Sequence, residues 1–147
     1  MSMLKCALCV SDHPRARAAL AGLADFMIVF AAGFLLGAVR VFWVMPRTGA
    51  LTAVALELPV MLVVSWVAAA ALIRWFRVTP KATDRLMMGG VGFLLLLVVE
   101  TALGLFGFGR TFQDQLAAWR SASGLLGLAG QVAFALFPML IGRVGRA

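Results

Sequence analysis

Apolar and polar positions along the chain separate into long blocks rather than a fine alternation. Four apolar runs, over residues 23–45, 51–76, 86–108 and 125–144, are divided by short polar connections. About 20 consecutive apolar residues are needed to cross the hydrocarbon core of a bilayer as a helix, and each run meets that length. The pattern therefore predicts an all-α polytopic membrane protein, with four transmembrane helices in an up-down bundle. Residues 1–22 form a polar N-terminal segment ahead of a transmembrane domain over 23–147. The first run is longer than the roughly 7–15 residues of a signal-peptide core and is expected to be a retained span.

The connections carry turn signals. Pro46-Arg47-Thr48-Gly49 is suited to stop one helix and reverse the chain. Residues 74–85 form the most basic loop, with Arg74, Arg77, Lys81 and Arg85. In the longer connection over 109–124, Phe112, Leu116 and Trp119 recur at helical spacing. That spacing fits a short helix lying in the interface, and a solvated loop is the other reading. Trp43, Trp75 and Trp119 fall near the ends of the runs, as in an aromatic belt.

Composition supports the bilayer and excludes a competing class. Of 147 residues, 63% are hydrophobic, against about 45–50% in a soluble domain. The net charge of +7 would suit nucleic acid, but only 13% of residues are charged. A nucleic-acid binder needs a soluble surface to carry a basic patch, and no stretch is long enough to supply one. The lipid bilayer is thus the first partner. Basic residues also set orientation. Lys5, Arg15, Arg17, Arg74, Arg77, Lys81, Arg85, Arg143 and Arg146 fall on one side of a four-span topology, and Arg47, Arg110 and Arg120 on the other. The positive-inside rule then places both termini in the cytoplasm, as in a bacterial inner-membrane protein.

Few strongly polar side chains fall within the runs: Arg40, Glu57, Glu100 and Gln131, one in each. At 1.5 Å per residue they lie about 8–12 Å from the outer helix ends, at nearly one depth. Ionised groups inside a membrane are costly and usually face the bundle interior. Small residues accompany them: Gly33 and Gly37 beside Arg40; Ala53, Ser65 and Ala68 beside Glu57; Gly104 and Gly107 beside Glu100; Gly124, Gly127 and Ala135 beside Gln131. Small residues let membrane helices approach closely. The expected centre is Arg40 forked between Glu57 and Glu100, with Gln131 as neutral donor and acceptor. Two carboxylates and one guanidinium leave an excess negative charge, which favours uptake of a proton or cation.

Other chemistry is thin. Cys6 and Cys9 form one CxxC with His13 nearby, a weak metal candidate because a closed zinc site needs four ligands. Asp25 is read as a favourable negative charge near a helix N-terminus. Metalloprotease, nucleophile-elbow, P-loop and dinucleotide signatures are all lacking, so no cofactor is implied, and a membrane enzyme acting on lipid or quinone is the least favoured reading. Small multidrug exporters share the size and span number, but they carry a key glutamate in the first span, where this chain has Arg40. Small mercury-transport proteins use cysteines within the membrane, and no run here contains one. Two functions follow. One is binding or translocation of a proton, ion or small polar solute at the cluster, in a homo-oligomer if a path through the membrane is needed. The other is a non-catalytic accessory subunit or assembly factor of a larger membrane complex, with the cluster as a helix clamp.

Overall fold

A computed structural model describes residues 13–144, with side chains as far as Ile141. The described residues are helical apart from short connections and contain no strand. Four helices are long and apolar enough to cross a membrane.

Helix α1 spans Pro14–Val39 and continues through a π-helical stretch, Arg40–Val44, and a last α turn, Met45–Thr48. The whole rod has 35 residues, about 52 Å at 1.5 Å per residue, against roughly 30 Å of hydrocarbon. It begins well ahead of residue 23. Pro14 sits in the first turn, where its missing N–H is no loss, and the Arg-Ala-Arg-Ala-Ala sequence after it favours helix. Part of the segment expected to be a polar leader is therefore helix.

Gly49, at φ 82°, turns the chain into α2, Ala50–Trp75. Arg77 adopts the left-handed conformation at φ 49° where α2 ends. The Val78 N–H reaches back to the Ile73 carbonyl at 3.0 Å, the long bond of a Schellman cap. Helix α3, Ala82–Ala102, ends in a second π-helical stretch, Leu103–Gly107. Helix α4, Phe112–Arg120, decides the open reading of that connection in favour of a helix. Thr111 and Asp114 close its start as a reciprocal capping box. The Thr111 hydroxyl, followed by its backbone N–H, holds the Asp114 carboxyl below the usual carboxylate range. Helix α5, Ala122–Val144, follows after Ser121.

Helix α1 packs on α2 and α3, and α5 packs on the same two. The consecutive helices α2 and α3 share no extended contact. Two apolar layers fill the centre. One joins Ala18, Ala21, Ala69, Ile73, Val78 and Met88; the other joins Phe26, Val29, Ala68, Leu96 and Phe134. The closest backbone approaches are at glycines. A Cβ on Gly22 would strike the Met88 carbonyl, and one on Gly89 the Ala135 carbonyl. Outward surfaces are apolar: Phe106 is 88% exposed and Trp75 84%, alongside Leu35, Val63, Val67, Leu94 and Val98. Apolar exposure this extensive suits lipid rather than water.

Candidate functional site

Each long helix delivers one of the four expected polar residues to a common region. Arg40 is the first residue of the π-helical stretch of α1, and Glu57 lies near the start of α2. Arg40 Nε and Glu57 Oε2 are 3.0 Å apart, with the side chains 34% and 17% exposed. The Arg40 Nε–H is not aimed along this contact and makes no hydrogen bond. The interaction is thus a charge contact across α1 and α2 rather than a directional bond. Glu100, near the end of α3, accepts a hydrogen bond from Gln131 Nε2 of α5 at 2.6 Å. The other amide atom of Gln131, Oε1, has no partner.

The expected fork is therefore replaced by two pairs, one on α1 and α2 and one on α3 and α5. Arg40 contacts one carboxylate rather than two. The pairs are neighbours across α2 and α5: the Leu58 side chain, beside Glu57, occupies the space where a Cβ on Gly130, beside Gln131, would sit. Both π-helical stretches adjoin this region, one opening at Arg40 and one three residues after Glu100. Widened turns of this kind re-aim side chains and recur at functional positions. The site thus carries two carboxyl groups, one guanidinium and an amide with a free acceptor. It sits at the bundle end that bears α4, whose Gln115 fills the space beside Gly104.

A second polar group ties the opposite end. Arg85, expected in the basic loop, is buried near the start of α3. Its Nε donates to the Thr79 carbonyl at 3.1 Å, and Nη1 donates to the Pro138 carbonyl at 3.3 Å. The Thr79 hydroxyl donates to the Asp84 carboxylate. The guanidinium has five donors, so one buried arginine can bind a loop and a neighbouring helix together. Trp66 packs edge-on against Phe137, with ring centroids 5.2 Å apart.

Asp25 is not the helix-terminal charge that the sequence suggests. With α1 starting at Pro14, it lies well inside the helix, fully buried and without a partner on either oxygen. The available signal was its register. Ala18, Ala21, Gly22, Asp25, Phe26 and Val29 form one stripe at helical spacing. The small residues also divide. Gly33 meets the Met61 methyl and Gly104 meets Gln115, whereas Gly37 and Gly127 face open space.

Cys6 and Cys9 lie outside the described residues. His13 is exposed, and its side chain makes no capping bond to α1. Among the described residues no three His, Cys, Asp or Glu side chains converge as metal ligands. The chain matches no known protein family, no characterised protein and no solved structure.

Proposed function

We propose that this is a multi-pass inner-membrane protein whose Arg40–Glu57–Glu100–Gln131 cluster binds a proton or a small cationic solute. The spans alternate in direction, and both termini face the cytoplasm. One observation carries the reading. Four separate helices each contribute one polar side chain to two adjoining pairs, and the carboxyl groups there outnumber the guanidinium by one. Intramembrane ionisable groups mark solute and proton paths. An unbalanced negative charge in a low-dielectric site draws in a positive one.

Translocation then requires more than one copy, because four helices packed around apolar layers leave no private channel. The test uses the full chain in liposomes with a pH-sensitive dye and radiolabelled monovalent or organic cations. Glu100→Gln keeps the shape and the Gln131 contact while removing one charge. It is expected to abolish pH-dependent binding or flux with helix content unchanged. Unaltered binding in the variant refutes the assignment.

A second reading has its own support. The 3.0 Å and 2.6 Å contacts each join two different helices, and buried polar pairs can fix register in a bundle. Under it the protein is an accessory subunit of a larger membrane complex. Glu100→Gln then lowers folded yield and recovery of the partner, with no flux to lose.

A further inference from the structure

Asp25 plays no part in the cluster, and its surroundings are unlike those of every other described acid. Its side chain is 0% exposed, and neither carboxylate oxygen has a hydrogen-bond partner. It stands on the buried stripe of α1 between Ala21, in one apolar layer, and Phe26 and Val29, in the other.

Every neighbouring element is poor in compensating charge. Along the α1 rod the other charged residues are Arg15 and Arg17 in the first turns, Arg40 beside Glu57, and Arg47 in the last turn. Helix α2 brings Glu57 and Arg74 near its two ends, with the buried hydroxyl of Ser65 between them. On α3, Asp84 is bonded to Thr79, Arg85 is spent on two backbone carbonyls, and Glu100 is held by Gln131. The described side chains of α5 include no charged group; the polar ones are Ser123, in the first turn, and Gln131. No ion pair among the described residues includes Asp25.

Removing an unpaired carboxylate from water consumes a large share of the net stability of most domains. A buried acid without a partner escapes that penalty by keeping its proton. A metal ion is a poor substitute. Alkali and alkaline-earth cations need several oxygen ligands, and Ser65 is the only buried hydroxyl side chain among the described residues.

We propose that Asp25 is a second, inner proton-binding site, independent of the outer cluster. Its carboxyl carries a bound proton at neutral pH and exchanges it only when the bundle opens. The layer of Phe26, Val29, Leu96 and Phe134 separates it from Glu100 and Gln131. Exchange therefore follows helix separation rather than diffusion along a wet path.

Infrared spectroscopy of the full chain in liposomes tests this at neutral pH, with aspartate carboxyls carbon-13 labelled. A protonated-carboxyl stretching band that moves with the aspartate label is expected. It should vanish completely in Asp25→Asn, persist in Glu100→Gln and shift slowly in heavy water. If Asp25→Asn fails to fold, the band is assigned by its survival in each of Asp12→Asn, Asp84→Asn and Asp114→Asn. Absence of any label-sensitive band in the native chain overturns the proposal. So does its loss in Asp84→Asn with Asp25 intact, or its loss on adding sodium at constant pH.

Discussion

Gly89 and Gly90 are adjacent in α3, yet they should respond oppositely to one added methyl group. A Cβ on Gly89 would fall on the Ala135 carbonyl, 2.9 Å from its carbon and 3.3 Å from the Ala135 Cα. Carbon atoms sit comfortably at about 3.5–4.0 Å, so α3 and α5 must part by roughly 1 Å. A gap of that size forfeits a quarter to a half of each dispersion contact along the seam. Overpacking of this kind costs about 1–3 kcal/mol. A Cβ on Gly90 meets nothing within 4 Å. Alanine is the better helix former by about 0.8–1.0 kcal/mol at either position, so that gain cancels in the comparison. Gly89→Ala should then be less stable than Gly90→Ala by about 1–3 kcal/mol. Titration of dodecylmaltoside micelles with SDS, followed by helical circular dichroism, gives both values. Equal midpoints, or a Gly89→Ala protein stabler than its neighbour, would refute the close α3–α5 packing.

The second apolar layer makes its own forecast. Phe134 is 2% exposed and its ring lies on Gly92; Phe134→Ala should lose about 3–5 kcal/mol in the same titration. The cap of α4 predicts a pH effect. Since the Asp114 carboxyl is held below its ordinary range, its contribution to α4 is complete above the ordinary aspartate pKa. It is lost as pH falls through the lowered value. Hydrogen exchange over residues 112–120, corrected for intrinsic rate, should therefore stay slow at neutral pH and quicken in acid. Thr111→Ala should make the same amides fast at neutral pH, and slow exchange in that variant would contradict the capping role.

The spans were legible because length and apolarity are local properties. Their N-terminal edges were not. Hydropathy marks where lipid contact begins, but α1, α3 and α5 start earlier, at Pro14, Ala82 and Ala122, in polar sequence with good helix formers. That offset places Asp25, near the start of an apolar run by hydropathy, well inside α1. It also explains Arg85, which looked like a loop charge and is buried. The capping box of α4 was readable at Thr111 and Asp114, where the two side chains stand three residues apart. The polar cluster was half readable. Counting residues from the helix ends gives depth, and depth brought the four groups to one level. Which carboxylate takes which partner depends on the order of helices around the bundle, and no local pattern records that order. The same limit applies to Gly37, which resembles a packing glycine in spacing and faces open space, while Gly89 makes the tight contact.

The neighbour order has a consequence for synthesis. As the chain leaves the ribosome, α2 can fold back on α1, and α3 can then join α1 from the other flank. Until α5 packs, α2 and α3 are joined only through α1 and their connecting loop, with no extended contact of their own. In that interval Glu100 has no amide to bind, Arg85 lacks its distant carbonyl, and the notch at Gly89 stands empty. The last helix made is the keystone, and the nascent bundle stays open along one seam until that helix packs.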